Sequence, residues 1–318
     1  MTAIYLTEAD VTQLLDMSLA IDAVEEVFRR LAAGEASNVP RQRAQSPGVV
    51  LHSMSATAPW LGLAGWKCYT TTRHGARFLV GLYDSETGDL AALVEADRLG
   101  QLRTGAATAV AAEWMAALGA AEVGLFGTGH QAQTQLAAIV AARPIKHAYV
   151  YSRNEERRAG FAERMSAELA IDITPVDRPQ EAAEDLPIVI TATKSAEPVF
   201  DGSWLAEGAF VAAVGSNWLA RAEIDVKTIR RADNIVCDSV AACRHEAGDF
   251  AEALEKGVFD WSRAAELSDV VAGRAVGRSG PESITFFKSV GLAIEDVALG
   301  GKLLQLAREK GIGQLLPF

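Results

Sequence analysis

Residues 121–142, AEVGLFGTGHQAQTQLAAIVAA, decide the fold. AEVGLFG is a short, continuous apolar run, the pattern of a strand buried on both faces. It ends in Gly127-Thr128-Gly129-His130-Gln131-Ala132, a G-x-G-x-x-A turn, and the residues behind it read as a helix. The first glycine permits a tight turn, and the second lets a backbone approach a pyrophosphate. The small third residue, Ala132, lets helix and strand pack closely. The helix start adds N–H donors and the positive end of its dipole. A tight turn in a sheet that holds no nucleotide would use the same glycines. The order strand, glycines, helix, second strand favours a dinucleotide site.

The same texture continues downstream through KHAYVYS, a charged helix at Asn154 to Leu169, and the runs PIVITAT, AFVAAVG and NIVCDS. Strands without alternation, separated by helices, predict a doubly wound parallel sheet. Upstream, Thr7-Glu8-Ala9-Asp10 resembles a capping box with Asp in place of Glu, opening one helix from Val11 to Leu31 that Gly34 closes. Residues 38–100 instead hold β-like runs (GVVLHSM, GLAGWKCYTTT, RFLVGLYD) separated by turn signals, which predict a mostly antiparallel sheet. Thr104 to Leu118 is Ala-rich and helical, with Gly119 as its C-cap, and the tail from Leu292 to Glu309 is again helical.

A chain of 318 residues is long for one core, which points to two domains. The net charge of −11 comes with no Lys/Arg cluster, which disfavours nucleic acid and anionic membrane surfaces. No apolar segment approaches the roughly 20 residues of a membrane span, and the N-terminus lacks the layout of a signal peptide. Cys68, Cys237 and Cys243 have no C-x-x-C spacing and read as reduced thiols of a cytoplasmic protein. The five histidines show no metal-binding spacing, so no metal is expected.

The strand HAYVYS ends at Ser152-Arg153-Asn154, about 25 residues after Gly127, where NAD enzymes place an acid on the ribose. A guanidinium there, with Arg157 one turn on, suits a 2′-phosphate and favours NADP(H) over NAD(H). Solvated first-turn arginines would leave that preference open. Lys67, in the apolar LAGWKCY, is either snorkelling or held for an anion. Arg41 and Arg103 are isolated cations that, taken singly, read as surface residues. His52 is a candidate proton carrier, since its ordinary pKa is near 6.5, or else a strand histidine bonded to a carbonyl. Asn217 follows the run Ala213-Val214-Gly215-Ser216, on a loop expected at the carboxyl end of a strand.

Arg41, Lys67, the run TGDLAALVEADRLGQLRTGAATAVAAEWMA, FGTGHQAQ, TATKSAEPVF, AVGSN and FFKSVGLAIEDVALG occur in that order. Together they resemble the ornithine cyclodeaminase/mu-crystallin family over nearly the whole chain. The resemblance implies a homodimer and an α/β fold: a Rossmann-type doubly wound domain (119–291) inserted into an α+β substrate-binding and dimerisation domain (1–118 plus 292–318). It implies that Arg41, Lys67 and Arg103 converge on a substrate carboxylate, with Arg103 near the nicotinamide. Thr104, at a helix start, would contact a cofactor phosphate together with residues 127–132, and Gln131 would line the pyrophosphate. Ser152, Arg153 and Arg157 would surround the ribose, and Thr193, Val214 and Ser289 would touch the cofactor.

The family's cyclodeaminases carry an acid/base Asp at the position of Asn217, and an amide takes no proton at neutral pH. Lys67, Asn217 and His52 are therefore expected to serve an NAD(P)H-dependent reductase of a small imino acid. Δ1-pyrroline-2-carboxylate or Δ1-piperideine-2-carboxylate would be reduced to L-proline or L-pipecolate. The readings left open are an ornithine cyclodeaminase, an amino-acid or opine-type dehydrogenase, and a mu-crystallin-like ligand-binding protein.

Overall fold

In the computed structural model, which describes residues 2–317, strand β1 (Ile4–Leu6) is followed by two helices, α1 (Glu8–Leu14) and α2 (Met17–Ala32). The capping box at Thr7 forms as expected: Asp10 N–H donates to its hydroxyl while its own N–H donates to the Asp10 carboxylate. The single helix expected over this stretch is broken because Leu15 turns extended and Asp16 caps a new start, accepting from Leu19 N–H at 2.8 Å. Then come β2 (Ser37–Ser46), β3 (Val49–Ala58), β4 (Leu63–Thr72), β5 (Gly75–Asp84) and β6 (Leu90–Glu95), an antiparallel meander. Helix α3 (Asp97–Met115) starts seven residues before the expected Thr104 and ends before Gly119, which lies in the following turn at φ +78°.

The chain divides by contact into two units, Met1–Arg103 with Gly291–Phe318, and Thr104–Val290. The first division falls inside α3 rather than at 118/119, because that helix is already running when the chain reaches Arg103.

The second unit alternates strands and helices: β7 (Glu122–Phe126), α4 (His130–Ala142), β8 (His147–Tyr151), α5 (Glu155–Leu169) and β9 (Asp172–Pro175) come first. They are followed by β10 (Ile188–Thr191), β11 (Phe210–Ala213), α6 (Val226–Arg231), β12 (Asn234–Cys237), α7 (Val240–Glu246) and α8 (Ala251–Glu255). β13 (Ala264–Glu266), α9 (Leu267–Val271) and β14 (Thr285–Lys288) complete it. All the pairings are parallel, in the order β13-β12-β14-β11-β10-β7-β8-β9. The sheet matches the doubly wound expectation. β14 was not anticipated, although it sits between β11 and β12 with every residue buried.

In the first unit, helix α10 (Ala293–Lys310) packs on β3, β4, β5 and α2, and β15 (Gln314–Leu315) pairs with β1. The sheet order is β15-β1-β6-β5-β4-β3-β2. Alternation along β3 buries His52, Met54, Ala56 and Ala58 and exposes the residues between them, so one sheet face carries the core. No helix among the described residues is long and apolar enough to cross a membrane.

Candidate functional site

The turn after β7 has the features an anionic dinucleotide requires. Gly127 has φ +115°, and a Cβ there would lie 2.5 Å from the Ala192 carbonyl oxygen, so only glycine fits. Gly129 caps α4 in extended backbone with no side-chain acceptor, which leaves the first N–H groups of the helix to bind an anion. Ala132 is fully buried, His130 is exposed, and the half-buried Gln131 has an Oε1 without a hydrogen-bond partner among the described residues. After β8, Ser152 is half-buried while Arg153 and Arg157 are exposed, and Asn154 caps α5 by accepting from Arg157 N–H at 2.8 Å. These residues fit the pyrophosphate and ribose of a nicotinamide dinucleotide.

Thr104 requires a correction. It lies inside α3, not at a helix start, so its N–H belongs to the helical ladder and is not presented to a phosphate. Its carbonyl instead accepts from Gln135 Nε2 at 3.0 Å, tying α3 to α4.

Thr193, Val214 and Ser289 follow the carboxyl ends of β10, β11 and β14, three adjacent parallel strands. Open α/β sheets place ligands at such ends. Ser289 is buried and donates to Asp238 Oδ2 at 2.8 Å, while Thr193 and Val214 are half-buried. Val214 N–H still bonds the Thr191 carbonyl, so the loop proper begins at Gly215 and carries a half-buried Asn217.

In the first unit the start of α10 gathers the three cations. Lys67 Nζ lies 2.6 Å from Asp296 Oδ1, with both side chains buried. Arg103 donates to Glu295 Oε2 at 2.8 Å and reaches the same Asp296 oxygen at 3.4 Å. Arg41 extends to the Gly291 carbonyl at 3.5 Å, just before the helix. Burying cations costs several kcal/mol each unless they are paired. Glu295 and Asp296 supply the pairing. Even so, burial and the neighbouring Arg103 lower the Lys67 pKa to about 8, against the raising effect of Asp296. Lys67 is therefore a charged donor at neutral pH that is poised to lose its proton just above it.

His52 is also corrected. It stacks on Tyr69 with ring centroids 4.1 Å apart, and Tyr69 stacks on Phe78 at 4.6 Å, a ladder across β3, β4 and β5. Burial, then Arg43 and Arg41, drive its pKa down to about 4. That disfavours the imidazolium, the form acidic enough to protonate an imine at neutral pH.

The sequence reading missed Glu295 and Asp296. The signal was an acid pair inside the apolar GLAIEDVALG, a setting where carboxylates need partners.

The model of the ornithine cyclodeaminase/mu-crystallin family matches residues 1–310. The chain belongs to this family. A Δ1-pyrroline-2-carboxylate reductase of Bacillus cereus is 34% identical over 76% of this chain and 74% of its own length. The Thermococcus litoralis Δ1-pyrroline-2-carboxylate reductase, solved with NADH and L-proline, superposes with a TM-score of 0.95. It is 33% identical, over 98% of this chain and 100% of the other. An archaeal alanine dehydrogenase dimer with bound NAD gives a TM-score of 0.94 at 30% identity, with both chains covered in full. On the loop after β11 this chain carries an amide, Asn217.

Proposed function

We propose that the protein is an NAD(P)H-dependent reductase of a small cyclic imino acid. Δ1-Pyrroline-2-carboxylate is the first substrate and Δ1-piperideine-2-carboxylate the second, giving L-proline or L-pipecolate. The observation that carries this reading is the buried set Arg41, Lys67 and Arg103 gathered at the start of α10. Two guanidinium groups held in a dry setting suit one carboxylate, and the ammonium beside them suits the imine nitrogen next to it. The names of the Bacillus cereus and Thermococcus litoralis relatives support it.

Bound cofactor supplies the hydride that turns the C=N carbon into C–H. The chain's own residues orient the substrate and provide the proton. Arg41 and Arg103 hold the carboxylate, and orientation with charge stabilisation supplies most of the rate. Lys67, charged below about pH 8, donates to the imine nitrogen, and Asp296 steadies it. Asn217 is an amide that exchanges no proton at neutral pH, which sets this chemistry apart from a cyclodeaminase. Arg153 and Arg157 meet a 2′-phosphate, so NADPH is the preferred reductant. Exchanging both for Ala should raise the KM for NADPH roughly tenfold, the loss of one or two charge-assisted contacts, and leave that for NADH unchanged. The protein acts as a homodimer, through the sheet face on which Val39, Leu51, Leu79 and Tyr83 are exposed.

The test is a panel of imines with purified protein and each cofactor. Stoichiometric loss of the reduced-nicotinamide absorbance is the expected result. Ammonia release from ornithine with no absorbance change would make the protein a cyclodeaminase. Turnover only of a keto acid with ammonia or an amine would make it a dehydrogenase. If neither imine oxidises either cofactor, the reading fails.

A further inference from the structure

Three buried charges in the second unit have no role in the site described so far: Glu223, Asp249 and Lys288, none more than 3% exposed. Glu223 Oε1 accepts from Thr193 N–H at 2.6 Å and from the Thr193 hydroxyl at 2.7 Å, and its Oε2 accepts from Gly215 N–H at 2.6 Å. Glu223 N–H in turn donates to Asp249 Oδ1 at 2.7 Å. Lys288, the last residue of β14, is ion-paired with Asp249 at 2.7 Å and donates to the Ser216 carbonyl at 2.8 Å.

One connected set therefore ties together the loops leaving β10 and β11 and the end of β14. The packing at the junction is tight enough to require glycine. A Cβ on Gly215 would lie 2.3 Å from the Thr193 carbonyl oxygen and 2.5 Å from Glu223 Oε1. Burying two carboxylates and an ammonium is an expensive way to tie loops, and uncharged residues of similar volume often do as well. Its use here, at the strand ends where an open sheet holds its ligand, calls for a positional role.

We infer that Glu223, braced by Asp249 and Lys288, is a positioning residue that sets the Thr193 and Gly215–Asn217 loops for the nicotinamide end of the cofactor. The inference rests on the reading of this protein as a nicotinamide-dependent enzyme. Glu223 has two acceptors facing three donors. Glutamine would have nearly the same shape but would set an NH2 donor against Gly215 or Thr193 N–H, forcing one loop away.

The experiment measures the NADH dissociation constant and the steady-state constants of E223Q and of Thr193→Val, which removes only the hydroxyl bond. E223Q should weaken NADH binding at least tenfold and lower kcat. T193V should shift the same quantities in the same direction by less. E223D, which retains both acceptors, should recover part of the loss. E223Q that binds NADH and turns over like the wild type overturns the inference. If E223Q does not fold, T193V decides: wild-type cofactor affinity there also overturns it. Because cofactor affinity is read without substrate, failure of every imine to react would sink the functional reading and leave this result standing.

Discussion

Lys67 and Lys288 are the same residue type, each at a strand position, each paired with one aspartate, and each essentially removed from solvent. Their protons are held very differently. Lys67 shares its carboxylate with Arg103, and its pKa falls to about 8. Lys288 has Asp249 and Glu223 around it, and their attraction outweighs burial and raises its pKa. The sign of the neighbouring charge separates a lysine that can give up a proton near neutrality from one that serves as a permanent tie. Burial alone distinguishes nothing between the two.

The largest effect should come from breaking the permanent tie. Lys288→Met leaves Asp249 buried without its cation, and urea unfolding should show a loss of about 3–5 kcal/mol. An unchanged midpoint would remove the contrast. Lys67→Met comes next: a fall in kcat/KM of roughly 10²–10³-fold with cofactor affinity intact. Stability should hold better there, because Arg103 still reaches Asp296.

A pH series sharpens the same point. Wild-type kcat/KM should be level below about pH 8 and fall as Lys67 deprotonates above it, about tenfold per pH unit. Lys67→Arg should lose that bend, since a guanidinium stays charged. A descending limb retained in the Arg variant would assign it to another group. The smallest effect expected is that of Asn217→Asp, about a tenfold loss of reductase rate from a misplaced acid/base group. No change at all would place Asn217 away from the reacting nitrogen.

The second unit was largely legible in the sequence because parallel strands buried on both faces leave continuous apolar runs, and Gly127 marks a turn that no other residue fits. β14 escaped because its run, TFFK, ends in a charge that reads as surface. The start of α3 escaped because Asp97-Arg98-Leu99-Gly100 looks like a loop, although its N–H groups are taken by Glu8, with Asp97 and Arg98 both donating to that carboxylate. In the site, the three cations could be named from the family resemblance, but their partners could not. Glu295 and Asp296 sit in an apolar helix, where only the fold reveals that they face Lys67 and Arg103. The protonation state of His52 also lay beyond reach, since it depends on burial and on Arg41 and Arg43 across the sheet.

The return of the chain to its first sheet has a consequence for biosynthesis. Asp296 follows Lys67 by 229 residues, Glu295 follows Arg103 by 192, and β15 must reach Ile4 from Leu315. At about 5–20 residues per second, a ribosome takes roughly 10–40 s to make the intervening segment. Throughout that interval Lys67 and Arg103 lack the carboxylates that pair with them in the finished fold, while the inserted unit is being made and can fold as it emerges. The unit that carries Lys67 and Arg103 is thus the last to be completed, and its completion is timed by translation of the inserted unit.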